Sequence, residues 1–155
     1  MMRSRGLMLL ARLLGKEDLP EGFAGELEAE EHVVATADVV RDGHLVVTNR
    51  GVWFPGEPER VGWHLVSKAT WADGAMTFVV ATQEDLGQAF LLHDGPPRRF
   101  PLGEPGKVPQ AVHQRVTGSI ASRERATMPD GREAWVLERR VSGRDGTIRQ
   151  IHPDP

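Results

Sequence analysis

The sequence Asp42-Gly-His-Leu-Val-Val-Thr-Asn-Arg-Gly-Val-Trp-Phe-Pro55 decides the fold class, together with Arg60-Val-Gly-Trp-His-Leu-Val-Ser-Lys-Ala-Thr-Trp71. β-Branched and aromatic residues fill the strand positions, and Gly, Asn, Asp and Pro separate them. Asp42-Gly43 is among the strongest sequence signals for a two-residue hairpin turn. The pattern therefore predicts an antiparallel meander, which is an architecture and not an activity.

The alternation of apolar and polar residues continues on both sides of this stretch. Before it, residues 33–40 alternate and predict a first strand. After it, Asp73-Gly74 marks a further hairpin. The predicted strands are residues 33–40, 45–48, 52–54, 61–66, 76–81, 88–93 and a short one at 98–102.

The period of the pattern changes after residue 107. Apolar residues then recur every four positions, and Pro109 suits the first turn of a helix, where its missing N–H costs nothing. We expect a helix over residues 109–121 with one apolar stripe. The stripe consists of Val108, Val112, Val116 and Ile120, with Ala111 beside it.

Two more strands are predicted after the helix, at residues 133–141 and 147–152, with a Gly-rich loop between them. Trp135, Leu137 and Val141 share one face of the first, because strand side chains alternate. An isolated hairpin is only marginally stable in water. We therefore expect the hairpin to pack on its own barrel or to pair with a second copy of the chain, which would give a homodimer.

The composition is that of a soluble globular domain. The 155 residues contain no cysteine and carry a formal net charge of -3. Without cysteine, disulfides, thiolate catalysis, thiolate zinc sites and iron–sulfur clusters are excluded. The mild net charge argues against non-specific binding to nucleic acid. We expect a single domain over residues 32–155.

The charge is unevenly placed in the first 31 residues. Residues 1–16 hold four basic side chains and no acid, and residues 17–31 hold seven acids and no base. The acidic part is expected to be a solvated linker. The basic part has an amphipathic pattern on a helix but is too short to span a bilayer, which needs about 20 apolar residues. The candidate membrane or partner contacts are Arg3, Arg5, Leu7, Leu10, Arg12, Leu14 and Lys16.

Three interpretations of this basic segment stay open. It packs on its own domain or frays, it lies on a membrane surface, or it docks on a partner protein.

No catalytic or metal-binding signature is present. The six histidines show neither His-x-His nor His-Glu-x-x-His spacing, and the Gly-x-Ser-x-Gly and phosphate-loop motifs are absent. We therefore expect no catalytic residue, no metal and no cofactor. From Arg98 onward basic side chains outnumber acidic ones by 11 to 7, which we interpret as a solvated face.

Six or seven short antiparallel strands followed by one amphipathic helix resemble a pleckstrin-homology-like (PH-like) barrel. The segment Leu45-Val-Val-Thr-Asn-Arg-Gly-Val-Trp-Phe54, with a Thr-x-Arg turn before an aromatic strand, is similar to bacterial members of that superfamily. The whole chain resembles an uncharacterised group of small actinobacterial proteins with this layout. The superfamily resemblance covers residues 32–121. Members that bind phosphoinositides use basic residues in the first hairpin loop, whereas Arg41-Asp42-Gly43-His44 is short and carries an acid.

The predicted fold is mainly β with one or two helices: a PH-like antiparallel barrel or split barrel, capped by an amphipathic helix and extended by C-terminal strands. The expected function is a non-enzymatic scaffold or interaction domain, in the cytoplasm or peripherally at the inner membrane. Its expected partner is a protein or an anionic membrane surface, and not a nucleic acid. The alternative is a small-ligand-binding β-barrel, which needs an internal pocket. The residues expected to fill the interior instead are Val47, Trp63, Leu65, Phe78, Val80 and Val116.

Overall fold

An antiparallel sheet of four strands begins the domain in the computed structural model, which describes residues 19–155. Gly43 in its first turn has a φ of 84°, a conformation that glycine adopts without strain, as the Asp42-Gly43 signal predicts. The strands follow chain order as β1 (Val33–Asp38), β2 (His44–Thr48), β3 (Gly51–Trp53) and β4 (Val61–Gly62).

A second, larger sheet curls around the same core. Its order is β5-β6-β7-β11-β10-β9, and β8 pairs with the first half of β6. The β7–β11 pair is parallel, and the other pairs are antiparallel. The strands are β5 (Val66–Ala72), β6 (Ala75–Asp85), β7 (Phe90–Asp94), β8 (Arg98–Pro101), β9 (Ile120–Thr127), β10 (Glu133–Arg140) and β11 (Thr147–Pro153).

The two sheets join where the end of β1 meets the end of β8. There the Gly103 N–H donates to the Asp38 carbonyl over 3.0 Å. Aromatic rings fill the space between the sheets: Phe54 stacks on Phe100 with centroids 5.1 Å apart, and Phe78 meets Phe54 edge-on at 5.2 Å. The fold is mainly β and barrel-like, with side chains occupying its interior.

The single α-helix of the described residues, α1 (Val108–Ser119), packs against β1, β2 and β5. Val108 and Val112 are fully buried in the core, and Val116 packs on it from the edge. Pro109 lies in the first turn, as predicted. Within residues 19–155, no helix has the length and apolar character needed to cross a membrane.

The helix passes directly into β9, a strand that the sequence pattern did not predict. Ile120, expected in the helix stripe, is the first residue of this strand. The side chains of β9 are mostly exposed and many are charged, so the strand shows no alternation of apolar and polar residues. It is a strand because its backbone pairs with β10 along its length.

The predicted fourth strand, residues 61–66, is wrong at residues 63–65. A turn of 3-10 helix (Trp63–Leu65) follows β4 and leads into β5. Trp63 is 2% exposed in the core. The carbonyls of Trp63, His64 and Val66 accept hydrogen bonds from side chains of β10 and β11, which are 73 to 86 residues away in sequence. The local alternation contains no signal for partners this distant.

The residues predicted to fill the interior are buried or half-buried. Two of the half-buried ones pack on the edge of the core, and the third lies in the 3-10 turn, where strand alternation does not apply. The buried ones are Val47, Trp63 and Phe78, and the half-buried ones are Leu65, Val80 and Val116.

The C-terminal hairpin packs on the barrel of its own chain, as one of the two predictions has it. β11 pairs with β7 at Gln150 and Ile151. On β10, Leu137 is buried and Trp135 is half-buried on the predicted face. The two strands of the hairpin, together with β9, therefore add three strands to the barrel sheet.

Residues 19–31 lie against the outer face of the four-stranded sheet. Phe23 meets Trp53 edge-on, with centroids 5.0 Å apart, and Leu27 packs in the same small cluster. Gly25 is so close to Trp53 that a Cβ there would overlap the indole ring. This stretch was predicted as a solvated linker. From Phe23 onward it is packed instead, because its few apolar positions meet an apolar patch; the domain boundary at residue 31 stays a prediction.

Candidate anion-binding site

A buried arginine lies where the C-terminal hairpin meets the barrel. Arg139 on β10 is 1% exposed. A β-bulge at Glu138 and Arg139 interrupts the β9–β10 pairing, and bulges commonly change the direction of a side chain. The guanidinium donates to the Trp63 carbonyl at 3.0 Å and to the Val66 carbonyl at 2.8 Å. It therefore fastens β10 to the 3-10 turn.

The other N–H groups of Arg139 also reach neutral acceptors. Nε donates to Ser119 Oγ over 2.8 Å, and a terminal nitrogen donates to Gln150 Oε1 over 3.3 Å. The fully buried amide of Gln150 donates in turn to the His64 carbonyl and to Gln83 Oε1, both at 2.8 Å. One hydrogen-bonded network thus connects the hairpin, the helix end and the barrel.

The positive charge of Arg139 has no negative partner among residues 19–155. Its four acceptors are uncharged, and no described carboxylate forms an ion pair with it. Burial lowers the pKa of Arg139 to about 10, which leaves it protonated at neutral pH. A full positive charge is therefore held inside the protein, where charges are weakly screened.

Four further arginines surround the loop of residues 141–146, which joins β10 to β11. They come from the β2–β3 turn, from α1, from the end of β10 and from the loop itself. Among the described carboxylates, none forms an ion pair with any of the four. We call these side chains the arginine face; they are Arg50, Arg115, Arg140 and Arg144.

The loop separates two surface clefts, and Arg144 lines both. The first, which we call the helix cleft, has a volume of about 440 Å³ and lies between α1 and the loop. No carboxylate lines it. Its polar side chains are Arg115, Arg140, Arg144, Gln114, Ser119 and Ser142.

The second cleft, which we call the sheet cleft, has a volume of about 510 Å³ and lies between the loop and the barrel. Arg50, Arg60 and His64 line it beside Arg144. Its one carboxylate, Glu28, pairs with Arg60 at 2.5 Å. Arg50 and Arg144 keep their positive charges without a described counter-ion.

The β2–β3 turn directs Arg50 toward the loop. Thr48 Oγ1 accepts hydrogen bonds from the backbone N–H groups of Arg50 and Gly51, at 3.0 and 3.1 Å. The guanidinium then lies against Gly143, where a Cβ would overlap it. Gly143 also has a φ of 85°, which side chains rarely tolerate. Glycine at this position allows Arg50 and the loop to meet.

His64 lines the sheet cleft beside Arg144. Burial lowers the pKa of His64 below its ordinary value of 6.5, and the charges of Arg139 and Arg144 lower it further. The imidazole is therefore neutral at pH 7. Burial is the larger cause and the two arginines add to it, so a further cation is disfavoured at this position.

Among residues 19–155, Glu31 is the other buried charged side chain, and its charge is compensated. Its carboxylate accepts hydrogen bonds from Thr48 Oγ1 at 2.7 Å, Trp53 Nε1 at 3.0 Å, Arg60 at 2.8 Å and the Glu28 N–H at 3.1 Å. Burial alone would raise the pKa of Glu31. The hydrogen bonds and the charge of Arg60 outweigh burial, so the pKa is lowered.

The residues predicted as membrane or partner contacts lie outside the described residues, so their position relative to the arginine face stays open. These are Arg3, Arg5, Leu7, Leu10, Arg12, Leu14 and Lys16.

Three histidines of the described chain pair with single carboxylates on the surface. The pairs are separated by 2.8 to 2.9 Å. Across residues 19–155, no three His, Asp or Glu side chains are grouped so that they could hold a metal ion. The pairs are His44 with Asp38, His93 with Glu84, and His152 with Asp94.

The sequence interpretation missed the arginine face and took the basic excess after Arg98 for a solvated surface. One local signal was available. Arg139 and Arg140 are neighbours on a predicted strand, so they point to opposite faces, and one of them has to face the barrel. No local signal predicted that Arg50 approaches the loop of residues 141–146, because this contact depends on how the C-terminal hairpin packs on the barrel.

Comparisons with protein-family models, with curated proteins and with solved structures found no match to this chain. Its function therefore has to be inferred from the geometry and charge of the described residues.

Proposed function

We propose that this chain is a non-enzymatic interaction domain, built on a PH-like barrel, that docks on an anionic membrane surface through its arginine face. The observation that carries the proposal is the convergence of Arg50, Arg115, Arg140 and Arg144 around one loop, with no ion pair to a described carboxylate. Guanidinium groups match phosphate oxygens in a bidentate geometry. Each basic residue near an anionic membrane contributes about 1 kcal/mol.

The buried charge of Arg139 supports the same proposal. A buried ion without a counter-ion weakens a fold, and Ser119, one of its acceptors, lies in the wall of the helix cleft. Anions outside this wall would compensate part of the charge. Docking would therefore be favoured by Arg139, although it is 1% exposed and touches nothing outside the protein.

The filled interior weighs against the alternative, a small-ligand-binding barrel. Such a barrel needs space between its sheets. Phe54, Phe78, Phe100 and Trp63 occupy that space. A small ligand would have to bind in a surface cleft, where the arginine face already dominates the chemistry.

The hydroxyl of Ser119 supports a binding role rather than an enzymatic one. Its Oγ donates to the Val116 carbonyl at 2.6 Å and accepts a hydrogen bond from Arg139 at 2.8 Å. A nucleophilic serine instead donates to a base that removes its proton. The Ser119 hydroxyl is held in place and not activated.

The basic segment at residues 1–16 offers a second contact with the same surface. Its four basic side chains and apolar block suit a membrane interface. Two weak contacts on one chain bind more tightly together than either alone. The experiment therefore has to separate the two contributions.

The test is co-sedimentation of the full chain with vesicles of phosphatidylglycerol and phosphatidylcholine at low salt, with pure phosphatidylcholine vesicles for comparison. We expect the chain to bind the anionic vesicles, and we expect added salt to weaken this binding. Arg144→Glu should weaken it about tenfold or more, because two units of charge are lost at the surface. The matched control is Arg99→Glu, an exposed arginine on β8 that lines neither cleft, and it should change binding less than about twofold.

A third variant replaces Arg3, Arg5, Arg12 and Lys16 by Glu. We expect it to weaken binding without abolishing the effect of Arg144→Glu. The proposal is wrong if the wild type ignores anionic vesicles, or if Arg144→Glu behaves like Arg99→Glu. Capture of polyglutamate without capture of vesicles would assign the face to an acidic protein partner instead.

A further inference from the structure

The helix cleft differs from a general positive surface in the groups that line it. Arg115, Arg140 and Arg144 line one concavity, and Gln114 and Ser142 line it beside them as neutral polar residues. The sheet cleft is less suitable for a small anion, because a carboxylate lines it and already pairs with one of its arginines. The helix cleft has no carboxylate in its lining.

One of the three guanidinium groups is already oriented. Arg140 donates one terminal N–H to the Gly118 carbonyl over 2.9 Å. This bond covers a carbonyl at the negative end of α1, which would otherwise repel an anion. The remaining N–H groups of Arg140 are available to a ligand. A donor that is fixed in advance loses less conformational entropy on binding.

Behind the cleft wall lies the charge of Arg139. Ser119 Oγ accepts a hydrogen bond from the Arg139 Nε–H, and its own O–H donates a hydrogen bond to the Val116 carbonyl. Ser119 therefore does not donate to a ligand, but it places a cation one side chain behind the cleft. Three cations at the surface and one beneath it favour an anion with more than one charge.

We propose that the helix cleft binds the terminal phosphate group of a phosphate monoester. This inference rests on the proposed function, because the cleft is part of the arginine face. A monoester carries close to two negative charges at neutral pH and three acceptor oxygens. Three guanidinium groups supply the charge-assisted and partly bidentate hydrogen bonds that such a group needs. The phosphate is either that of a lipid headgroup or that of a soluble compound.

The first arm of the experiment uses soluble probes. Titration calorimetry at low salt measures binding of inorganic phosphate and of glycerol 3-phosphate to the full chain. We expect binding of both, with Arg115→Gln weakening it at least about tenfold, because a charge-assisted pair is lost. Arg115→Lys should restore part of the affinity, since lysine keeps the positive charge but lacks the bidentate donors of the guanidinium group. Arg99→Gln is the matched control and should be unchanged within about twofold.

The second arm identifies the source of the phosphate. Vesicles with phosphatidic acid, a monoester, are compared with phosphatidylglycerol vesicles, a diester, at matched surface potential. If the wild type prefers phosphatidic acid and Arg115→Gln removes this preference, the site binds a lipid headgroup. Soluble binding without this preference assigns it to a soluble phosphate compound.

The two proposals fail separately. Vesicle binding that depends on Arg144, without phosphate binding that depends on Arg115, overturns the phosphate site and leaves membrane docking in place. Phosphate binding that depends on Arg115, without any vesicle binding, overturns membrane docking and leaves the phosphate site. Equal effects of Arg115→Gln and Arg99→Gln on the soluble probes overturn the phosphate site.

Discussion

Glu31 and Arg139 are both charged side chains inside the protein, and their surroundings are opposite. The carboxylate of Glu31 receives the guanidinium of Arg60 together with three neutral donors. The guanidinium of Arg139 meets only neutral acceptors among the described residues. The charge of Glu31, just before β1, is therefore compensated within the fold, and the charge of Arg139 is not compensated by any described carboxylate.

This difference indicates where a partner binds. The donors that bond to Glu31 already have this carboxylate as their acceptor, so an outside anion would gain little from them. Around Arg139, the excess charge lies beneath Arg115, Arg140 and Arg144, which also lack a described counter-ion. Hydrogen bonding alone does not show this contrast, since both buried groups have their hydrogen bonds satisfied.

The largest effect is expected where the two regions connect, at Trp63. Its indole N–H donates to the Thr48 carbonyl, beside Glu31, and its own carbonyl accepts from Arg139. Trp63→Ala should lower the free energy of unfolding by about 4 kcal/mol, as large core truncations do. Urea unfolding at pH 7 measures it. Trp71→Ala, at a side chain that is 41% exposed, is the control and should cost less than about 1 kcal/mol. A similar loss for both variants would mean that Trp63 does not connect the regions.

The next largest effect is expected at Arg139. Arg139→Met keeps an unbranched side chain but leaves the Trp63 and Val66 carbonyls and the Gln150 amide without their donor. We expect a loss of about 3 kcal/mol, because unsatisfied buried acceptors cost about 1–3 kcal/mol. Arg149→Met, at an exposed arginine paired with Glu138, should cost less than about 1 kcal/mol. If Arg139→Met is neutral or stabilising, the cost of burying the charge exceeds the value of its hydrogen bonds.

A smaller and pH-dependent effect is expected at Glu31. Glu31→Gln leaves Arg60 without its buried partner and should cost about 2 kcal/mol at pH 7. Folding lowers the pKa of Glu31 below 4.5, so the stability that this group contributes is present above pH 4.5 and is lost as the pH falls further. The difference between wild type and Glu31→Gln should therefore narrow in urea unfolding at pH 3.5. Glu30→Gln, at an exposed side chain, is the control. A difference that stays constant between pH 7 and pH 3.5 would contradict the ionised, compensated state of Glu31.

The smallest effect is expected at Gly25, where the segment before β1 meets Trp53. Gly25→Ala places a Cβ in the indole ring and should displace the segment at a cost of about 1 kcal/mol, at the low end for overpacking. Faster proteolysis within residues 19–31 would accompany this loss. Ala24→Ser, at an exposed neighbour, should leave both the stability and the proteolysis rate unchanged. Equal proteolysis of Gly25→Ala and wild type would show that the contact with Trp53 does not hold the segment.

Much of the fold was predictable because its signals are local. Asp42-Gly43 and Asp73-Gly74 mark turns that the structure contains, and Val108 and Val112 mark the buried stripe of α1. The end of β4 at Gly62 was not predictable. The carbonyls of the next two residues accept hydrogen bonds from Arg139 and Gln150, which lie far along the chain. Likewise β9 is a strand only through its pairing with β10.

The candidate site was less predictable than the fold. Neighbouring arginines at residues 139 and 140 of a predicted strand imply that one faces inward, so a buried arginine could have been inferred. The arginine face could not, since Arg50, Arg115 and Arg144 come from three distant parts of the chain. Their convergence depends on the parallel pairing of β7 with β11. The alternating sequence pattern does not predict which residues of these two strands pair.

The most direct test of the central claim is a map of backbone amide shifts in the full, isotope-labelled chain upon addition of phosphatidylglycerol bicelles. The account predicts that, within residues 19–155, the largest shifts occur in the loop 141–146 and at Arg115, with little change around Glu31. It also predicts that Arg144→Glu removes these shifts and that Arg99→Glu does not. Shifts confined to residues 1–18, shifts spread evenly over both sheets, or no shifts at low salt would contradict docking through the arginine face.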